Sequence, residues 1–297
     1  MKKAFLHLHL SVFLAGFTGI LGKLISLNEG MLVWYRLLIT CVTMFFLFRL
    51  RGSLQRLPWK DILPIGSTGV IVALHWLFFY GSIKYANVSI GVVCFSLTSL
   101  FTAIFDPLIN KRRFDGIEML LSMLTLAGIL LIFHFDTQYR TGIILGIISA
   151  MFAALFTVFN KRLIKRFDTI TITYYELWTG LIVMTILAPF YVYAFPVPSL
   201  VPPAIDWLWL FILSWACTIC MYLLSMSALK RISPFTVNLT FNLEPVYSII
   251  LAFIIFHENK YLNPAFYGGL ACIILSVILQ MIRVNYQHKK GEMIATH

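Results

Sequence analysis

An all-α integral membrane protein, with ten transmembrane helices as two inverted five-helix repeats, is predicted from three observations. Of the 297 residues, 60% are apolar and 12% charged, and the mean hydropathy is +0.88, outside the range of soluble globular domains. The apolar residues fall into ten runs of bilayer-spanning length separated by mostly short polar connections. The stretch that begins at Ser233 also has a counterpart 146 residues earlier. Phe241 falls on Phe95, Leu243 on Leu97, Lys230 on Lys84 and Ser233 on Asn87.

The expected helices are 4–22, 29–48, 62–83, 87–109, 116–134, 141–160, 169–193, 206–229, 234–256 and 265–284. The first follows Lys2 and Lys3 and so looks like a signal peptide. It is read as retained, because its removal would break both the repeat and the topology. The second carries Arg36, and the third an aromatic group of His75, Trp76, Phe79 and Tyr80. Such a stripe either packs helices or surrounds an organic ligand. The fourth carries Cys94, Thr98, Phe101 and Thr102 on one face. The sixth has a ladder of Gly142, Gly146, Ala150 and Ala154, which permits close backbone approach. The seventh holds Glu176, and the connection 194–204 after it is proline-rich and expected to be extended. Trp207, Trp209 and Trp215 open the eighth as an interfacial belt, and Tyr222 in it falls on Trp76 under the 146-residue shift. The ninth starts with a Ser233 cap and Pro234. Its 23 apolar residues span roughly 34 Å at ~1.5 Å each, with Glu244 and Pro245 near the middle.

Charge placement sets the topology. Eighteen of the 23 lysines and arginines lie at the chain ends or in even-numbered connections. Four lie in odd-numbered ones and one, Arg36, lies inside a helix. The bias puts both termini in the cytoplasm, and it accounts for the +11 net charge with no nucleic-acid partner. Residues 1–134 form the first repeat and 141–286 the second, with 287–297 a disordered cytoplasmic tail. An odd number of spans per repeat makes the second copy insert upside down. Inverted repeats with a midplane site between them recur in secondary transporters.

On a continuous helix Thr240, Glu244, Tyr247 and Ser248 share one face, mirrored by Cys94, Thr98, Phe101 and Thr102 in the first repeat. These stripes are expected to wall one cavity, although small polar residues also serve as interhelical hydrogen-bonding groups. A carboxylate at the midplane costs at least ~2.5 kcal/mol, which marks Glu244 as functional. Asn238 and Asn242 share another face, so either Glu244 or Asn242 faces the cavity, and the mirrored stripe favours Glu244. Arg36 and Glu176 are repeat partners, Trp34-Tyr35-Arg36-Leu37 aligning with Tyr174-Tyr175-Glu176-Leu177. Inversion separates them by ~10 Å in depth, so one charge is expected near each cavity mouth. Asp106 is expected to be hydrated or paired with Lys111. The substrate-binding set is therefore Arg36, Trp76, Tyr80, Thr98, Thr102, Glu176, Tyr222, Thr240, Glu244, Tyr247 and Ser248. No cofactor or metal is expected. His7 and His9 lie on different helix faces, and Cys217 and Cys220 read as core packing.

Leu243-Glu244-Pro245-Val246, Glu258, the glycine-led last helix from Gly268-Gly269, and Arg36-Leu37 carry a family likeness. In these residues the chain resembles the EamA-like branch of the drug/metabolite transporter superfamily, over essentially its whole length. One departure is Arg112, which stands where the first repeat of the family has a glutamate. That asymmetry points to a structural role for Glu258. The resemblance implies an exporter or exchanger of small metabolites, often amino acids, or of amphipathic drugs.

The reading is a carrier in a bacterial-type inner membrane that moves an amino-acid-like metabolite outward by alternating access, with Glu244 as a candidate proton carrier. Its partners are the small-molecule substrate and the lipid bilayer. Multidrug efflux is the alternative within the class. An intramembrane enzyme or sensor is the alternative outside it, against which stand the absence of G-x-S-x-G and H-E-x-x-H motifs and of any long soluble connection.

Overall fold

The computed structural model describes residues 2–50, 56–133, 139–196, 199–257 and 264–295. Among them the chain forms α1 (Lys2–Leu24), α2 (Glu29–Leu50), α3 (Trp59–Tyr85), α4 (Val88–Phe95), α5 (Thr98–Asn110), α6 (Gly116–Phe133) and α7 (Arg140–Leu163). Then come α8 (Thr169–Ala194), α9 (Ala204–Ser214), a π-helix (Trp215–Cys220), α10 (Met221–Leu229), α11 (Pro234–Phe241), α12 (Glu244–Phe256) and α13 (Pro264–Ala295). With α4–α5, α9–α10 and α11–α12 each taken as one run, nine helices among the described residues are long and apolar enough to span a bilayer. The stretch Gly116–Leu131 is apolar but shorter. This is a multi-pass, all-helical membrane architecture.

Besides the π-helix inside the expected eighth helix, three elements depart from the expected helices. The fourth and ninth are each broken, at Ser96–Leu97 and at Asn242–Leu243. At both points the amides reach back three residues instead of four, Leu97 N to Cys94 O at 3.1 Å and Leu243 N to Thr240 O at 3.0 Å. Pro245 has no amide proton to give to Phe241, yet the first break forms with Ser99 at the matching place. Proline is therefore not the sole cause. The third departure is α13, which stays helical to Ala295, where a disordered tail is expected from 287 onward. Once a helix is nucleated each further residue adds one bond, and Gln, Lys and Glu in this run are good helix formers. Glu258 lies outside the described residues.

The broken segments match position by position. Asn87 caps α4 by accepting from Ile90 N, and Ser233 caps α11 by accepting from Thr236 N. The runs end in left-handed residues, Lys111 with φ 50° and His257 with φ 56°. Caps, breaks and ends are all 146 residues apart.

α7 sits at the centre of the packing, against α3, α4 and α5. Its small-residue ladder explains the fit. A Cβ on Gly146 would lie 2.5 Å from Cys94 Cβ, and one on Gly142 would lie 2.5 Å from Ala86 Cβ. α8 lies against α2 and α3, α1 against α10 and α12, and α6 pairs with α13. A hydrogen bond of 2.9 Å between the hydroxyls of Thr125 and Ser276 links that last pair.

Candidate functional site

A cavity of about 90 Å³ lies among α1, α2, α3, α7, α10 and the two broken segments. At roughly one water per 10–15 Å³ of such space it would hold several waters or a small ligand. Phe95 ends α4, and Phe241 and Glu244 flank the second break; all three line it. Irregular backbone at membrane depth is tolerated where it borders a cavity of this kind. Phe79, Phe156, Met221 and Met226 supply apolar walls, and Thr157, Ser225 and His75 supply polar points. The His75 ring is held from behind, its Nδ1 2.8 Å from Ser149 Oγ.

Arg36 reaches the cavity from α2 and is buried. Its Nε donates to Thr218 Oγ1 at 2.7 Å, Nη1 to the Tyr80 hydroxyl at 2.7 Å, and Nη2 to the Cys217 carbonyl at 3.0 Å. Its guanidinium carbon stands 3.8 Å from the centroid of Trp76, a cation–π contact. Two of the three hydrogen-bond partners belong to the π-helix, whose wider turn redirects a carbonyl for this use. Thr218 in turn donates to Leu213 O at 2.8 Å, five residues back. All three partners are neutral, and together they take three of the five guanidinium donors. The charge therefore keeps hydrogen-bonding capacity toward the space it lines.

Glu244 opens α12 and faces the same space, buried at 3% exposure. A helix N-terminus favours negative charge there. The Thr18 hydroxyl lies beside it but donates to Ala15 O at 2.7 Å. The field of Arg36 reaches Glu244.

The break settles the placement of the asparagines. Asn238 lines the cavity together with Glu244, because the two stand on different helical pieces. Asn238 accepts from Thr157 Oγ1 at 3.0 Å and donates to Thr102 Oγ1 at 2.7 Å. Asn242 points away and donates to Ser99 Oγ at 3.2 Å, which ties one break to the other.

Of the eleven residues expected to bind substrate, Arg36, Trp76, Tyr222 and Glu244 stand on the cavity wall. Tyr80 stands one step behind, on Arg36. Glu176 is also one step behind, its carboxylate accepting from the Tyr222 hydroxyl, and it does not pair with Arg36. The other five are off the lining, for reasons visible in their contacts. Thr98 donates to Phe95 O, Thr102 to Thr98 O and Thr240 to Thr236 O, each within its own helical segment or across its break. Ser248 donates to Gly16 O at 2.8 Å. Tyr247 packs edge-on against Phe13 with centroids 5.6 Å apart. These last two hold α12 to α1. A shared face through Thr240 and Glu244 requires one unbroken helix, and the break turns them apart. Thr18, Phe156, Thr157 and Ser225 do not stand out in the sequence; hydroxyls within apolar runs are the available signal.

Charged groups pair at helix ends away from the cavity lining. At one, Arg112 bridges Asp106 at 2.6 Å and Glu118 at 3.1 Å, so Asp106 pairs with Arg112 and not Lys111. At another, Asp206 accepts from Ser26 N at 2.9 Å and Ser26 Oγ at 2.7 Å, and the Tyr191 hydroxyl donates to Glu29 at 2.7 Å.

The model of the EamA-like transporter family matches residues 2–134 and 140–282. An uncharacterized transporter of Haemophilus influenzae is 27% identical over 154 residues, 48% of this chain and 50% of that protein. Uncharacterized transporter YdfC of Bacillus subtilis is 28% identical over 189 residues, 61% of this chain and 60% of that one. The chain thus spans between half and three-fifths of the length of these two relatives. A further uncharacterized transporter, from Archaeoglobus fulgidus, is 24% identical over 84% of this chain and 86% of its own. One crystal structure, 18% identical, superposes with a TM-score of 0.71 over 97% of this chain and 99% of that one, a likeness of fold alone.

Proposed function

Because the chain belongs to the EamA-like transporter family, we propose that it is a secondary carrier for a small zwitterionic, amino-acid-like metabolite. The observation that carries this reading is the pairing of charges on one wall. Arg36, bonded only to neutral groups, and Glu244 line the same aromatic space. A ligand that bears a carboxylate and an ammonium complements both, and a charge-assisted hydrogen bond contributes ~1.5–3 kcal/mol. An isolated anion or cation would leave one of the two uncompensated.

The carrier acts in a bacterial-type inner membrane, both termini cytoplasmic, and moves its substrate outward or in exchange. The matched caps, breaks and left-handed ends at 146-residue spacing support two copies of one unit, and the odd span count per unit supports their inversion. Access alternates as one unit rocks against the other. Multidrug efflux is the second reading, favoured by Phe79, Phe95, Phe156 and Phe241 around the cavity.

A thermal-shift screen of metabolites on the purified protein, with liposome flux on the hits, tests the proposal. Neutral amino acids are expected to stabilise the wild type and not Arg36→Ala. Stabilisation by lipophilic cations alone would move the assignment to efflux.

A further inference from the structure

Behind the cavity wall lies a polar cluster that binding of a substrate does not use. Glu176 on α8 is fully buried, and the Tyr222 hydroxyl donates to its Oε2. Its Oε1 has no hydrogen-bond partner. Asn160 on α7, also fully buried, lies beside both Glu176 and Tyr222, yet neither its amide oxygen nor its amide nitrogen completes a hydrogen bond. Among the described residues no charged side chain acts on Glu176. Its carboxylate meets Tyr222 from α10 and Asn160 from α7, while its main-chain carbonyl abuts Gly69 of α3, where a Cβ would lie 2.1 Å from Glu176 O. Titratable groups of the packed helices bond elsewhere, Lys161 on α7 donating to Leu229 O and Ile232 O and Lys84 on α3 to Ile25 O. On α2, Arg36 bonds Tyr80 and Glu29 bonds Tyr191. On α3, His75 bonds Ser149 and Asp61 pairs with Arg166.

Counting donors decides what the cluster lacks. Tyr222 offers one O–H, already on Glu176, and Asn160 offers two N–H. With Glu176 ionised, either orientation of Asn160 leaves a buried acceptor without a donor, beside an uncompensated charge that is costly to bury. One proton on Oε1 removes both defects. Tyr222 already donates to Oε2, and with a small shift of the amide, whose two polar atoms now have no partner, the new O–H would donate to Asn160 Oδ1 and Asn160 Nδ2 to the Tyr222 oxygen, closing a three-residue ring. We propose that Glu176 and Asn160 form a proton-binding site behind the cavity, linked to it by Tyr222. The reaction is the addition of one proton to one carboxylate, with no bond broken elsewhere. Tyr222 has the cavity on one side and the carboxyl on the other, so a ligand that displaces its ring opens the ring of hydrogen bonds and frees the proton. This gives the amino-acid carrier its coupling site, and the purpose of the site rests on that reading.

The test reads the proton itself. Infrared spectra of the purified full-length protein in lipid at neutral pH are expected to show a protonated-carboxyl C=O band that Glu176→Gln abolishes. Glu244→Gln should leave that band in place, and Asn160→Ala should shift it without removing it. Glutamine can accept from Tyr222 and donate to Asn160, so this variant keeps the ring. Should it nonetheless fail to fold, the Asn160→Ala shift decides alone. A spectrum of Glu176→Gln that superposes on the wild type would overturn the proposal, as would a band that follows Glu244 or one that sodium displaces at constant pH. No transported compound enters the measurement, so failure to carry amino acids would sink the carrier reading while leaving the proton site standing.

Discussion

Arg36 and Glu176 hold matching places on α2 and α8, each seven residues past the first residue of its helix. Each is also bonded to a tyrosine from the next spanning segment of its own half, Tyr80 and Tyr222. Their surroundings nevertheless differ. The 146-residue shift places Tyr222 on Trp76 and Tyr80 on Met226. In the first half the wall aromatic, Trp76, stacks on the guanidinium while the bonding tyrosine sits one turn further along. In the second half the wall aromatic is itself the bonding tyrosine, and it covers the carboxylate. One turn in the position of a tyrosine thus separates a charge that lines the cavity from a charge covered by its wall.

The sharpest way to break this comparison is to remove each charge in turn. Arg36→Ala is expected to lower amino-acid affinity and flux about 10- to 100-fold, the loss of a charge-assisted interaction of ~1.5–3 kcal/mol. Arg36→Lys should fall between, because lysine keeps the charge and loses the fork that reaches Thr218, Tyr80 and Cys217 together. Glu176→Gln should leave equilibrium affinity within about threefold, under ~0.7 kcal/mol. Equal losses of affinity at both positions would show that both charges touch the ligand.

A second test moves one site and spares the other. Gly69→Ala places a methyl against the Glu176 carbonyl and must push α8 from α3. Overpacking of this kind costs ~1–3 kcal/mol, read as a lower thermal midpoint. Because α2 seats Arg36 against the π-helix, ligand-induced stabilisation by amino acids should persist in this variant. Thr218→Val acts the opposite way. It leaves the buried Nε of Arg36 without its acceptor, at a cost of about 1–3 kcal/mol in stability, and the loosened guanidinium should lower amino-acid affinity while the Glu176 infrared band stays in place.

Much of this molecule is legible in the chain itself. The spans, the 146-residue correspondence and the selection of Arg36, Trp76, Tyr222 and Glu244, which the structure places on one cavity wall, come from hydropathy, spacing and the cost of buried charge. The features that escape depend on backbone irregularity. A break at Asn242–Leu243 and a π-turn at Trp215–Cys220 each rotate the downstream residues about the helix axis, and helical periodicity has no term for either. Periodicity therefore assigns Thr240, Tyr247 and Ser248 to the wall, while Thr18 and Thr157, on unbroken helices, draw no attention. Glu176 shows the complementary limit. Its depth is readable, but its cover depends on which rotamer and which turn of a neighbouring helix bring Tyr222 over it.

The smallest expected effect lies outside both sites and isolates their pH dependence. Asp115, in the connection before α6, accepts from Ile117 N at 2.9 Å, Glu118 N at 3.2 Å and Arg283 Nη2 at 2.5 Å. Burial works against its charge, but these donors outweigh it and hold the carboxyl below its ordinary range. A carboxyl whose folded value lies below the unfolded one, about 3.9 for aspartate, adds stability above that pH. The contribution is lost as pH falls through the depressed value. Asp115→Asn should therefore flatten the acid limb of thermal midpoint against pH, by a small amount because the pair is partly exposed. At neutral pH its ligand binding should match the wild type. Any pH dependence of binding that survives in Asp115→Asn and vanishes in Glu176→Gln then belongs to the covered carboxyl, whereas a dependence abolished by Asp115→Asn would place the proton at the end of the bundle and remove the contrast between the two halves.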